Sequence, residues 1–352
     1  MAKEQITLED FTLESGITLK KLDVAFHRYG KYDSKNTNVI WICHALTANS
    51  DPFEWWPKIA GEVGFFNEKE HHIICANILG SCYGTTGPLS QDENGATYYD
   101  EFPEITTRDM ANLHEVLSHK IGIEKINTLI GASLGGQQAL EWAISFPNRF
   151  ENLILIATNA SHSPYGIAFN ESQRLAIEAD PTYRLKTVNG GKNGLIAARS
   201  IALLSYRSYE GYKLSQKNNS TEKTNQFKAA QYQRYQGEKL AKRFNAYSYV
   251  ELSKAMDAHN IARGRKTIGK ALQKITAKTL IIGISSDILF PIEEQQLLNF
   301  YIKDSSLKTI DSSYGHDGFL LEHEALINHF TCFFNQKKES STHPFQEILF
   351  TA

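Results

Sequence analysis

Six short runs of apolar, largely β-branched residues punctuate the chain, at residues 38–43, 72–78, 128–131, 153–157, 279–284 and 307–310. Each is too short for a helix and lacks the alternation of a half-exposed strand, so both faces of each strand are expected to be buried. Helical stretches separate the runs, the first of them a predicted helix at 137–145. The alternation predicts a mostly parallel sheet covered on both faces, an α/β architecture. The rhythm breaks between 161 and 274, where Gln, Arg, Lys, Tyr and Ala dominate. Segments 169–178 and 195–206 there have helical spacing, and 217–228 reads as a polar loop. This divides the chain into a first core part (1–160), a helical lid inserted between two core strands (161–274), a second core part (275–335) and a polar tail (336–352) whose last apolar scrap is 348–350.

At the end of the third run stands Gly131-Ala132-Ser133-Leu134-Gly135-Gly136. It matches G-x-S-x-G between a strand and a helix, the context of a nucleophile elbow. The turn is so tight that only small residues fit two before and two after the serine, and the helix N-terminus favours negative charge developing there. The order Ser, then acid, then His is that of the α/β-hydrolase fold. Asp287 follows the run at 279–284, and His316 follows the last run between Gly315 and Gly318. His316 would take the Ser133 proton and return it to the leaving group, while Asp287 would fix the imidazole tautomer. His44, His71, His72 and His162 are rival bases and Asp317 is a rival acid, but none of these histidines follows a late strand. An oxyanion hole needs two backbone N–H groups. Leu134, the residue after the nucleophile, is one candidate donor, and Leu46 in the loop after the first run is the other, with the Thr47 hydroxyl beside it.

Charge and cysteine content narrow the picture further. The 352 residues carry a formal net charge of -2, which gives a nucleic-acid partner no electrostatic support. The four cysteines are scattered and form no CxxC pair, so neither a zinc site nor a disulfide framework is indicated, and no metal or tightly bound cofactor is expected. No apolar run reaches the roughly 18 residues of a membrane span, and the N-terminus has no signal-peptide core, so a cytoplasmic protein without a membrane partner is expected.

Several stretches together resemble the homoserine O-acetyltransferases of the α/β-hydrolase superfamily. They are residues 44–47, 77–88, 102–110, 131–141, 205–207, 232–236, 249–257 and 315–319, within a likeness spanning roughly 10–335. The segment Gly80 to Pro88 is the most specific of them. The resemblance implies a ping-pong reaction in which Ser133 takes an acetyl group from acetyl-CoA and the L-homoserine hydroxyl then receives it, a step toward methionine. It also implies that Arg207 holds the homoserine carboxylate, with Arg199 as competitor, that Asp317 pairs with the amine, and that the protein is a homodimer joined through lid helices. Two departures stand out. Leu134 replaces a methionine common in relatives, and residues 89–100 depart from the family's usual text at what the resemblance implies is an entrance loop. A succinyl donor, a serine acceptor or ester hydrolysis would use the same triad. A binding protein without chemistry would lack a triad member.

Overall fold

The computed structural model describes residues 3–33, 35 and 37–335, so the tail lies outside the described residues. Eight strands form the central sheet: β1 (Glu4–Leu8), β2 (Leu22–Tyr29), β3 (Val39–Cys43), β4 (His72–Ala76), β5 (Ile126–Ala132), β6 (Phe150–Ile156), β7 (Lys278–Ile284) and β8 (Ser305–Ile310). Their order is β1-β2-β4-β3-β5-β6-β7-β8. The strands from β3 to β8 run parallel, and β1 and β2 pair antiparallel at one edge.

Five of the six apolar runs lie in β3 to β7 with both faces covered, and the sixth lies in the edge strand β8, of which only Ile310 is buried. Along β3, Val39, Trp41 and Cys43 enter one core and Ile40 and Ile42 the other, as the two-residue period of a strand requires. β4 stops at Ala76, two residues short of the expected end. Asn77 leaves the strand and uses its side chain on Ser50, accepting from its N–H at 2.8 Å and donating to its hydroxyl at 2.7 Å.

The helices that cover the sheet include α1 (Thr107–Lys120) and α2 (Leu134–Ser145). α1 begins where it does because Thr106 and Asp109 form a reciprocal capping box. Between β6 and β7 come α3 (Pro164–Glu178), α4 (Lys192–Tyr206), α5 (Tyr209–Ser215), α6 (Lys228–Ala241) and α7 (Ala246–Asp257). These are the inserted helices, and residues 217–227 between α5 and α6 are irregular. α8 (Ile292–Tyr301) and α9 (His323–Asn335) follow in the second core part. The insertion is anchored to the body by charge as well as packing. Glu141 on α2 is fully buried, 3.1 Å from Arg108 of α1 and 2.7 Å from Arg265 at the end of the insertion.

Candidate active site

β5 ends at Ala132 and α2 starts at Leu134, so one residue must reverse the chain. That residue is Ser133, with φ 56° and ψ −128°. Such a backbone costs a residue with a side chain on the order of 1–3 kcal/mol and persists only where the surroundings enforce it. The Ser133 N–H donates to the Ile156 carbonyl at 3.0 Å, and the Thr158 hydroxyl donates to the Ser133 carbonyl at 2.9 Å. The flanking glycines are needed for space. A Cβ on Gly131 would stand 2.2 Å from the Gly135 carbonyl oxygen, and one on Gly135 would stand 2.1 Å from that of Cys43.

The three predicted catalytic side chains meet. His316 Nδ1 lies 2.7 Å from Asp287 Oδ2, and His316 Nε2 lies 2.8 Å from Ser133 Oγ. A carboxylate only accepts, so Nδ1 carries the proton and Nε2 is left to accept from the serine hydroxyl. The second Asp287 oxygen accepts from the Leu289 and Phe290 N–H groups at 2.9 and 3.0 Å, which fixes the carboxylate. The His316 ring is walled by Phe290, Phe319 and Tyr206, with ring centroids 5.0, 5.4 and 5.7 Å away. Only one of its two flanking glycines is used for a turn: Gly315 has φ 63°, while Gly318 has an ordinary φ of −54°. The rival acid, Asp317, pairs with Arg207 instead, its Oδ2 2.8 Å from Arg207 Nε.

Leu134 is the first residue of α2, and Leu46 lies in a turn after β3 closed by the Ala48 N–H on the Ala45 carbonyl at 3.0 Å. Among the described residues neither the Leu46 nor the Leu134 amide has an acceptor, so both are free to serve an oxyanion. Ser133 and His316 open into a cavity of about 350 Å³ that Leu46, Thr47, Arg199 and Asp317 also line. Thr47 reaches it, and its carbonyl accepts from Arg243 at 2.5 Å.

The two candidate carboxylate anchors are placed differently, and one expectation needs correction. Arg207, expected to hold a substrate carboxylate, pairs through its Nε with Asp317 Oδ2 at 2.8 Å, and Asp317 lines the cavity. Its rival Arg199 is on the wall, its guanidinium 5.2 Å from the centre of the Tyr206 ring. Arg199 lies two turns inside α4, whereas Arg207 caps that helix. Residues 89–100, expected at the entrance, do not line this cavity. Several of them line a separate groove with residues 17–21. Sequence reading also missed Lys239 and Arg243, two cations at the cavity from α6 and the turn after it, since in sequence they resemble any solvent-facing cation. Among the described residues no group of three or more His, Cys, Asp or Glu could hold a metal ion, and no helix is long and apolar enough to cross a membrane.

Fold and relay together define a serine-nucleophile enzyme of the α/β-hydrolase class. A family model for the alpha/beta hydrolase fold matches residues 38–323. A homoserine O-acetyltransferase from Cyclobacterium marinum is 48% identical over 319 residues, covering 90% of this chain and 91% of that protein. Among solved structures, a homoserine O-acetyltransferase from Bacillus anthracis aligns with TM-score 0.88 and 24% identity, covering 97% of this chain and 99% of that one. Esterase E22 aligns with TM-score 0.85 and 23% identity, over 95% of this chain and 100% of its own. These two structural likenesses speak for the fold alone, which acyltransferases and esterases share. The chain belongs to the homoserine O-acetyltransferase family.

Proposed function

We propose that the protein transfers an acetyl group from acetyl-CoA to the hydroxyl of L-homoserine through an acyl-Ser133 intermediate, feeding methionine biosynthesis. The observation that carries the mechanism is the Asp287–His316–Ser133 relay opening onto two unpaired backbone amides. Ser133 Oγ attacks the thioester carbonyl as His316 Nε2 takes its proton. The Leu46 and Leu134 amides stabilise the oxyanion, and CoA leaves with the proton from His316. The homoserine hydroxyl then gives its proton to His316 and attacks the acyl carbon, and Ser133 Oγ is regenerated. Arg199 takes the homoserine carboxylate and Asp317 its amine, with Arg207 holding Asp317 in place. Lys239 and Arg243 favour the anionic CoA donor at the cavity mouth. This chemistry needs no metal and no tightly bound cofactor. The protein works in the cytoplasm as a homodimer joined through the lid helices, where Leu175, Leu204 and Leu214 are exposed and available for a second copy to cover.

CoA thiol release tests the reading, measured with acetyl-CoA or succinyl-CoA, each with and without homoserine. Release with acetyl-CoA that depends on homoserine and disappears in Ser133→Ala is expected. A preference for succinyl-CoA would move the donor assignment. Equal release without homoserine would make the protein a hydrolase.

A further inference from the structure

His44 joins the end of β3 to the turn that carries Leu46, and its side chain is fully buried. Its two ring nitrogens have different partners. Nε2 lies 3.2 Å from the Ile78 backbone N–H, which can only donate, so Nε2 is bare. Burial pushes the imidazole down to about 4, so near neutral pH the ring is uncharged and its one proton sits on Nδ1. Nδ1–H therefore donates to the Ala45 carbonyl at 2.9 Å, alongside the Ala48 N–H. In a planar trans peptide the C=O and the following N–H point in opposite directions. Two donors holding the Ala45 carbonyl on one side thus turn the Leu46 N–H to the other, toward the cavity that Leu46 lines with Ser133. A second tie sets the loop against the nucleophile helix. Gln138 of α2 donates from Nε2 to the His44 carbonyl at 3.2 Å, and its Oε1 meets Nε2 of the buried His114 at 3.1 Å. The helix headed by Leu134 is in this way bonded to the loop that presents Leu46.

We propose that His44 is a positioning residue for acyl transfer: its Nδ1–H holds the Ala45 carbonyl away from the site and so aims the Leu46 amide at the oxygen of the thioester under attack. The proposal rests on the acyl-serine reading above and names a part of it. The rival is a purely architectural role, with His44 serving only to satisfy the Ile78 N–H.

Two substitutions separate these roles. His44→Asn keeps a nitrogen donor at the δ position but cannot reach Ile78. His44→Gln keeps an acceptor at the ε position but has no δ donor. For each, the acylation burst with p-nitrophenyl acetate, the affinity for a trifluoromethyl ketone that forms an oxyanion on the serine, and Tm are measured. His44→Gln is expected to acylate about tenfold more slowly and to bind the ketone correspondingly less tightly, with KM unchanged; the loss is a fraction of what removing an oxyanion donor costs, since the Ala48 N–H remains. His44→Asn is expected to stay within about threefold of wild type, with whatever Tm loss follows from the unpaired Ile78 N–H. Wild-type rates in His44→Gln, or an Asn variant as slow as the Gln variant, overturns the proposal. Should neither variant fold, ¹⁵N-histidine NMR of the wild-type protein decides, because an Nε2–H tautomer of His44 also overturns it. A wild-type protein with no burst and no ketone adduct would refute the acyl-serine reading itself.

Discussion

The assignment of the homoserine carboxylate to Arg199 rather than Arg207 makes a sharp prediction. Tyr206 lies between Arg199 and the catalytic base: the guanidinium is 5.2 Å from the centre of its ring, and that ring is 5.7 Å from His316. In homoserine the hydroxyl oxygen and the carboxyl carbon are about 5 Å apart by ordinary bond lengths. A hydroxyl presented to His316 therefore brings the carboxylate within reach of that wall. Arg199 enters no ion pair with an acidic side chain among the described residues, whereas Arg207 is already engaged by Asp317. A charge-assisted pair to a carboxylate contributes about 3 kcal/mol, on the order of 100-fold in kcat/KM. Arg199→Met should lose that much with homoserine and little with 3-amino-1-propanol, which has the same amine and hydroxyl and no carboxylate. Arg207→Ala should weaken both alcohols alike by about fivefold, because it loosens a partly buried pair worth about 1 kcal/mol. The assay is coupled CoA release at saturating acetyl-CoA with both alcohols and all three proteins. The reasoning is refuted if Arg199→Met keeps the preference for homoserine, or if Arg207→Ala alone abolishes it.

Asp287→Asn should leave the fold intact and lower kcat by about 10⁴, because an amide that donates to His316 imposes the wrong tautomer; steady-state CoA release with Tm as control checks this. Glu141→Leu leaves Arg108 with Glu14 alone as an acidic partner and takes from Arg265 the carboxylate it pairs with, and should destabilise by about 3 kcal/mol, read as a lower urea midpoint at unchanged m-value. Burial pushes the Glu251 carboxyl up to about 7 from its usual 4.5, so the folded state keeps a proton that the unfolded chain gives up above pH 4.5. Its contribution is thus full below pH 4.5 and fades as pH rises through 7, a loss on the order of 3 kcal/mol. Glu251→Gln should remove that part of the pH dependence, and equal pH slopes of unfolding free energy in variant and wild type would count against it.

The parallel body of the sheet was legible because the apolar runs of β3 to β7 are continuous and buried on both faces, and β8 at the edge continued their spacing. β1 was not, since only Leu8 of its five residues is buried and the rest read as a polar terminus. β2 was hidden for a related reason: Asp23, His27 and Arg28 interrupt it, and they are tolerable there because it lies next to the edge strand, where Arg28 pairs with Glu4 of β1 at 2.5 Å. The triad was readable because each member sits a fixed short distance past a strand end. The two candidate carboxylate anchors were not separable, because Arg199 in α4 and Arg207 at its end look alike in sequence, and only the fold shows that Arg199 lines the cavity while Arg207 pairs with Asp317. His44 was visible as a histidine after a strand, but its effect depends on which ring nitrogen meets Ile78, a residue 34 positions away.

The start of α2 shows how the fold trades local stability for chemistry. α3 and α7 begin with a side chain bonded to a backbone amide of the first turn, from Ser163 and Asn245, and α1 begins with a full capping box. α2 begins with Ser133, a residue type well suited to capping, yet its hydroxyl makes no cap and turns to His316 instead. The forgone cap costs about 1 kcal/mol, and the left-handed backbone at Ser133 adds to it. What keeps the residue there is the burial of both flanks. Every side chain of β5 from Thr128 onward is buried, as is every residue of α2 up to Ile144, so neither element can shift to relax the turn. The strain is therefore confined to one residue, and the Leu134 amide beside it has no acceptor among the described residues and stays open to a negative oxygen. Ser133→Gly should accordingly raise stability while abolishing acylation, because glycine adopts the positive φ without strain and carries no nucleophile.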